Sequence, residues 1–194
     1  IATISIHSFY VICMKISNNI YETYPRPITL RKALSKISNN GDEFADVFMK
    51  DVSSDANLAS QNVKSYLNRG SAAIVFETSD GQILKLTEGN HFPLNRPHES
   101  FDVPIYKKGH IGNIYYYFEE KLYQHGLSDV FVEEVKRNIR EKGYRTFDIS
   151  DTAVHQIGLS KDGKLYLLDS ECARYKTVFH ALFDKIKRFV IKKF

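Results

Sequence analysis

The chain has 194 residues, of which 43% are hydrophobic and 26% charged, a composition that is typical of a folded protein and excludes a disordered chain. The formal net charge of +4 is too small to indicate a nucleic-acid partner by itself. The two cysteines, Cys13 and Cys172, do not stand at zinc-ligand spacing from each other or from a histidine, so we predict neither a structural disulfide nor a zinc site.

The N-terminal stretch is apolar, but it is a poor export signal. Residues 1–13 lack a basic start and a small-residue cleavage site. They are either an ordinary N-terminal strand or sequence upstream of a start at Met14, and the residues alone leave both open. No run reaches the roughly 20 apolar residues that a membrane-spanning helix needs, so we expect no stable membrane insertion.

Three short helices are predicted after an extended leader over residues 14–27. Thr29 can cap the first, which ends at the Asn39-Asn40-Gly41 sequence. The second is predicted from Asp42 to about residue 51, and the third from near Ser54, with apolar positions at residues 58, 63 and 67. Residues 1–63 are therefore predicted to be an N-terminal extension with helices.

A glycine turn follows at Gly70. With Ser71 and small neighbours beside it, backbone N–H groups could approach a phosphate closely. Val75 comes five residues later, where it could cover an adenine ring. A plain β-hairpin is the alternative interpretation of the same residues.

A second hairpin, with Asp80 and Gly81 at its turn, leads into a strand that carries Lys85 between apolar neighbours. The hairpin and lysine resemble the strand lysine of protein kinases, and the resemblance implies that Lys85 reaches the α and β phosphates of a nucleotide. The alternative is a solvent-facing lysine on an edge strand. The resemblance to the protein kinase family also implies a helix after this strand with a glutamate that pairs with Lys85; Glu88 and Glu99 are both candidates. Three prolines between residues 93 and 104 leave room for barely two turns of that helix.

Two aromatic strands are predicted next, over residues 103–106 and 114–118, and the second runs into Glu119. This strand end resembles the hinge of protein kinases, and the resemblance implies that its backbone groups bind the edge of an adenine and that Phe118 lies near the gatekeeper position. A buried aromatic strand without a ligand is the alternative. Residues 64–122 are thus predicted to form a small β-sheet unit with a glycine-containing loop.

The sequence after Gly143 contains the chemistry-bearing residues. Ser128 is predicted to cap a helix that runs to Lys142. Asp151 follows, with Gln156 five residues later and Asp169 thirteen residues after that. Phosphoryl transfer requires a carboxylate at the attacking hydroxyl and oxygen ligands for Mg²⁺. Asp148 remains an alternative to Asp151, and two surface acids that flank a hairpin remain the structural alternative.

The C-terminal residues, from Tyr175 to Phe194, are predicted to form an amphipathic helix whose apolar face packs on its own domain and whose other face is basic. The alternative is a helix that lies on an anionic membrane or nucleic acid. Residues 123–194 are accordingly predicted to be a reduced helical unit. No aromatic-rich basic sheet is evident in the sequence, so we expect no nucleic-acid partner.

These intervals resemble the protein kinase family. Asp151 matches the catalytic aspartate, Gln156 the metal-binding asparagine, and Asp169 the aspartate of the Asp-Phe-Gly motif. Gly70 and Lys85 match the glycine-rich loop and the strand lysine. The match has departures: Ile149 and Ser150 replace His-Arg, and Ser170 and Glu171 replace Phe-Gly.

The resemblance implies an α+β, minimal two-lobed kinase-like fold with a reduced C-terminal lobe. It implies ATP and Mg²⁺ as cofactors. The catalytic residues would be Asp151, Lys85 and Asp169, and the metal ligands Gln156 and Asp169. The nucleotide would be bound by the full set Gly70, Ser71, Val75, Lys85, Glu119, Gln156 and Asp169.

The size and the short C-terminal part resemble the minimal kinases among bacterial type III secreted effectors, which include a group acting on the heat shock protein 90 chaperone. The implied protein is a monomeric Ser/Thr kinase, secreted into the host cytoplasm and acting on a host protein, or otherwise cytoplasmic. Two alternatives stay open: a pseudokinase that binds partners without catalysis, and a kinase of small molecules.

Overall fold

The computed structural model describes residues 22–69, 73–88, 98–124, 127–146, 156–168 and 173–175. Helices and antiparallel sheets are mixed, which confirms the predicted α+β class. The chain divides into two compact units, one formed by Ile1–Asn90 with Ile105–Lys121 and the other by His91–Pro104 with Leu122–Phe194. No helix in the described part is both long and apolar enough to cross a membrane.

The first unit opens with strand β1 (Glu22–Thr29) and helices α1 (Leu30–Asn39), α2 (Glu43–Val52) and α3 (Ala56–Ala59). The first two helices confirm the predicted pattern, and Thr29 caps the first as predicted. The Thr29 hydroxyl accepts from the Lys32 N–H at 3.4 Å, and the Asp42 carboxylate accepts from the Phe44 N–H at 3.1 Å. Such caps satisfy backbone donors that the first helical turn leaves without a partner.

The prediction of a longer third helix was wrong. Helix α3 ends at Ala59, and the apolar residues assigned to it, Val63 and Leu67, lie in strand β2 (Asn62–Arg69). Val63 is opposite Ile28 of β1 and Thr78 of the next strand, so β2 is bonded on both sides. Sheet pairing, which a local apolar period does not reveal, overrides the helical pattern here.

The sheet of the first unit has six antiparallel strands in the order β1-β2-β3-β4-β6-β5. The remaining strands are β3 (Ala73–Thr78), β4 (Ile83–Glu88), β5 (Ile105–Ile111) and β6 (Ile114–Glu119). The predicted hairpin turn between β3 and β4 is present, with Gly81 at φ +85°. Strand β4 is therefore internal, with β3 on one side and β6 on the other.

One face of this sheet and the N-terminal helices share a single core. The buried side chains from the sheet are Tyr24, Val63, Tyr66, Ile74, Phe76, Leu84, Leu86, Ile114 and Phe118. Those from the helices include Leu30, Leu34, Phe48 and Val52. The predicted ranges 1–63 and 64–122 thus contribute to the same hydrophobic cluster.

The second unit contains helix α4 (Asp129–Glu141) and four short strands, β7 (Tyr144–Thr146), β8 (Ile157–Leu159), β9 (Leu165–Leu167) and β10 (Ala173–Tyr175). Helix α4 confirms the predicted helix and its end before Gly143, which has φ +86°. Ser128 occupies the N-cap position, but its side chain makes no cap hydrogen bond. Strands β8 and β9 form a hairpin, and β10 pairs antiparallel with β7.

The core of the second unit is formed by apolar side chains of the helix and the short strands: Phe101, Val132, Val135, Ile139, Tyr144, Ile157, Leu167 and Ala173. Tyr175, where the C-terminal helix was predicted to begin, is instead the last residue of β10. The other residues of that predicted helix, 176–194, lie outside the described part of the chain.

Candidate functional site

Lys85 lies in the middle of the six-stranded sheet, in one row with two other residues. It is directly opposite Val75 of β3 and Tyr117 of β6. Side chains of directly opposed residues project from the same face of a sheet. Val75, Lys85 and Tyr117 therefore share one face, and it is the face opposite the helix-covered core.

The next row on the same face contains two acids. Ile83 of β4 is opposite Glu77 of β3 and Glu119 of β6. Glu77 is 8% exposed and Glu119 is 5% exposed. The sequence-predicted residues Val75, Lys85 and Glu119 are thus brought to one face of three adjacent strands.

Phe118 does not share that face. It is opposite Leu84 and belongs to the core beneath the helices. Phe118 therefore faces the helix-covered core and not the face of Lys85, because alternate residues of a strand point to opposite faces. The expectation that Phe118 lies near the gatekeeper position stays a prediction. Tyr117, which is 3% exposed, occupies the position opposite Lys85.

The surroundings of Lys85 bear on the question of its acidic partner. Among the described carboxylates, none lies within ion-pair distance of the half-buried Lys85 ammonium. Glu88 is exposed and lies three residues along the same strand, so it projects from the other face. Glu99 belongs to the second unit, where the Tyr144 hydroxyl donates to its carboxylate at 2.6 Å.

Glu77 is a buried acid that sequence reasoning missed. Its carboxylate accepts from Lys121 Nζ at 2.7 Å and lies 3.7 Å from Lys64 Nζ. Burial raises the pKa of Glu77, but hydrogen bonding and charge from Lys121, with help from Lys64 and Ser65, outweigh that effect and lower it overall. The ion pair connects β3 to Lys121, just after β6. The sequence signal that could have indicated this buried acid is the position of Glu77 within the otherwise apolar strand β3.

In the second unit, the hairpin of β8 and β9 brings two segments of the predicted site together. The Leu168 N–H donates to the Gln156 carbonyl at 2.8 Å. Asp169 is the residue after Leu168. The backbone of Gln156, one predicted metal ligand, is thus hydrogen-bonded to Leu168, which immediately precedes Asp169, the other predicted ligand.

The segments that contain the predicted acids begin and end at paired strands. Residues 147–155 connect β7 to the start of the hairpin, and residues 169–172 connect its end to β10. Thr146 and Ala173 are directly paired, so the first segment begins where the second one ends. Asp148, Asp151 and Asp169 themselves lie outside the described residues, as do Gly70 and Ser71.

The donor set is compatible with magnesium. A glutamine amide oxygen and an aspartate carboxylate are hard oxygen ligands, which Mg²⁺ prefers. The Gln156 side-chain oxygen is buried. Within the described ranges, no group of three or more His, Cys, Asp or Glu side chains could hold a metal. Gln156 and Asp169 are therefore a donor pair that suits Mg²⁺.

No protein-family model matches the chain, and no curated protein matches it either.

Proposed function

We propose that this protein is an ATP-dependent kinase that uses Mg²⁺. The observation that supports the proposal most strongly is the row of Val75, Lys85 and Tyr117 across three adjacent strands. These strands are the one leaving the Gly70 turn, the one bearing the lysine and the one ending at Glu119. A nucleotide lying along this face would meet the turn, the lysine and the strand end in succession.

The roles in nucleotide binding follow from that order. Backbone N–H groups at Gly70 and Ser71 would bind phosphate, and the Lys85 ammonium would neutralise the α and β phosphates. Val75 would cover the base, and the backbone at Glu119 would bind its edge. Lys85 suits this role because it is half-buried in the interior of the sheet and no described carboxylate is bonded to it.

The chemical step is assigned to residues of the second unit. Gln156 and Asp169 would hold Mg²⁺ against the phosphates, and the metal would neutralise charge that develops on the transferred group. Asp151 would orient the attacking hydroxyl and accept its proton. The bond between Leu168 and Gln156 supports a shared role for the two ligand positions.

The acceptor is proposed from the resemblance to minimal type III secreted effector kinases. The acceptor would be a Ser or Thr hydroxyl of a folded host protein, such as the heat shock protein 90 chaperone. The enzyme would act as a monomer in the host cytoplasm.

Transfer of label from γ-labelled ATP tests the proposal. The wild-type chain, Lys85→Met and Asp169→Ala are incubated with MgATP and the purified chaperone. Lys64→Met is the control, since Lys64 is also a strand lysine of this sheet and is 54% exposed. We expect label in the chaperone with the wild type and the control, and loss of it in the other two variants. Wild-type protein that neither binds MgATP nor transfers label would contradict the proposal.

A pseudokinase is the second candidate, and specific residues favour it. Ser170 and Glu171 follow Asp169 where kinases have Phe-Gly, and Ile149 and Ser150 precede Asp151. Tight MgATP binding by the wild type without transfer to any acceptor would select this candidate. Transfer to a free small molecule in preference to proteins would instead select a small-molecule kinase.

A further inference from the structure

Strand β6 ends at Glu119, and the chain leaves the first unit two residues later, after Lys121. Glu119 is the last residue of β6 that pairs in the sheet, with Ile83 on one side and Ile105 on the other. Glu120 and Lys121 belong to no strand. Because sheet pairing stops at Glu119, contacts made by side chains beyond it determine how firmly the strand end is held.

A side chain just beyond the strand end is tied back to the sheet. Lys121 Nζ donates to Glu77 Oε1 of β3 at 2.7 Å. Since β4 lies between β3 and β6 in the strand order, this ion pair reaches across β4. Glu77 and Glu119 are both opposite Ile83. The anchor on β3 therefore lies in the same row of the sheet as the end of β6.

Glu77 is suited to be this anchor because other contacts also hold its carboxylate. Glu77 is 8% exposed, and the Ser65 hydroxyl donates to its Oε2 at 3.4 Å. Lys64 Nζ lies 3.7 Å from Oε1, a longer distance than that to Lys121. Charge-assisted hydrogen bonds are about twice as strong as neutral ones, and burial of one partner reduces screening by solvent. Lys121 is thus the closer of the two cations on a carboxylate that is fixed in place.

We propose that Glu77 and Lys121 are positioning residues for the end of β6, and that they thereby set the affinity for the base of the nucleotide. This inference rests on the proposed function, which assigns the backbone at Glu119 to the edge of the base. Lys121 is two residues along the chain from that backbone, so the ion pair restrains it directly through the chain. Neither side chain is assigned to the nucleotide itself.

The inference predicts a loss of affinity that depends on the base. Lys85 and the Gly70 turn are assigned to the phosphates, so inorganic tripolyphosphate should bind as before when the ion pair is removed. ATP should bind about three- to tenfold more weakly, as is typical of coupling within one charged network. A general loosening of the fold, or a change in net charge, would affect both ligands alike. The ratio of the two Kd values therefore identifies a positioning role.

The experiment uses Glu77→Gln, Lys121→Met and Lys121→Arg in the full chain. Lys121→Arg keeps a cation that can donate to Glu77 and is the conservative rescue. Lys64→Met is the matched control, since Lys64 is the second cation near the same carboxylate and lies farther from it. Each protein is titrated calorimetrically with ATP and with tripolyphosphate, both in Mg²⁺, and its denaturation midpoint is measured.

We expect Glu77→Gln and Lys121→Met to raise the Kd of ATP by about three- to tenfold without changing that of tripolyphosphate. Lys121→Arg and Lys64→Met should bind both ligands as the wild type does. Wild-type affinity for ATP in both ion-pair variants would overturn the inference, as would an equal loss for the two ligands. A wild type to which ATP or tripolyphosphate does not bind would instead contradict the proposed function, so the two failures are distinguishable.

Discussion

The backbone of Gln156 accepts a hydrogen bond from the Leu168 N–H at 2.8 Å. The two residues are twelve positions apart, and the hairpin of β8 and β9 between them sets the contact through the register of Ile157 with Leu167. This places Gln156 beside the residue that precedes Asp169. The β-hairpin is therefore the element that would keep the two proposed metal ligands together.

The first prediction concerns the Gln156 side chain. Gln156→Ala should raise the Mg²⁺ requirement of label transfer by about tenfold, while the backbone bond to Leu168 remains. The matched control is Gln124→Ala, because Gln124 Nε2 donates to the Ile157 carbonyl at 3.4 Å and so contacts the same hairpin. Equal Mg²⁺ requirements in the wild type and Gln156→Ala would show that Gln156 does not bind the metal.

The second prediction separates binding from stability at Lys85. Lys85→Met should lower MgATP affinity by about tenfold or more, because a phosphate charge loses its partner. The free energy of unfolding should change by less than about 1 kcal/mol, since no described carboxylate is bonded to Lys85. Calorimetric titration and denaturant unfolding measure the two quantities. If Lys85→Met lost MgATP affinity only because the protein unfolded, the result would contradict a direct role of Lys85 in binding MgATP.

The third prediction uses two buried threonines of the same sheet. The Thr87 hydroxyl is buried and has no hydrogen-bond partner within the described part of the chain. Thr87→Val should therefore stabilise the protein, by up to about 1 kcal/mol. Thr78→Val is the matched control and should destabilise it, because the Thr78 hydroxyl accepts from the Gln82 N–H and donates to the Gln82 carbonyl, both at 3.0 Å.

Denaturant unfolding of the two variants measures these free energies. A destabilising Thr87→Val substitution would contradict the prediction and would mean that the hydroxyl is bonded in solution.

The fourth prediction is a pH dependence that Glu77 causes. Its pKa is lowered in the folded protein from the ordinary value of 4.5, so the unfolded chain binds the proton more tightly. The contribution of Glu77 to stability should be fully present above about pH 4.5 and should be lost as the pH falls through the lowered folded-state pKa.

The measurement is the denaturation midpoint between about pH 3 and pH 7. Glu77→Gln should show a smaller decrease at the acidic end than the wild type. Lys121→Met should also flatten the curve, because Lys121 is the strongest hydrogen-bond partner of this carboxylate. Parallel curves for the wild type and Glu77→Gln would contradict the assignment.

The elements with strong local signals were predicted from the sequence. Helices α1, α2 and α4 follow from their apolar periods, with Thr29 as the predicted cap of α1, and the turn at Gly81 follows from its backbone requirement. The alternation in β4 also predicted Lys85 on a strand. The secondary structure was predicted wrongly where it depends on partners distant in the sequence. Val63 and Tyr175 were assigned to helices, but they lie in strands that pair with distant strands.

For the candidate site, the sequence predicted only which residue types occur at which spacing, and not which side chains contact each other. Spacing suggested Glu99 as a partner for Lys85, but its bond to Tyr144, 45 residues away, arises from tertiary folding. The ion pair of Glu77 with Lys121 spans 44 residues and has the same origin. Sheet register, which no local pattern specifies, decided that Tyr117 and not Phe118 shares the face of Lys85.

The central claim is that Lys85, Gln156 and Asp169 act on one MgATP, and calorimetric titration of that ligand tests it most directly. The wild type, Lys85→Met and Asp169→Ala are titrated with ATP in Mg²⁺ and again in a metal chelator. We predict that Mg²⁺ strengthens binding to the wild type, that Asp169→Ala loses this gain, and that Lys85→Met binds weakly in both conditions. Wild-type affinity in both variants would contradict the account.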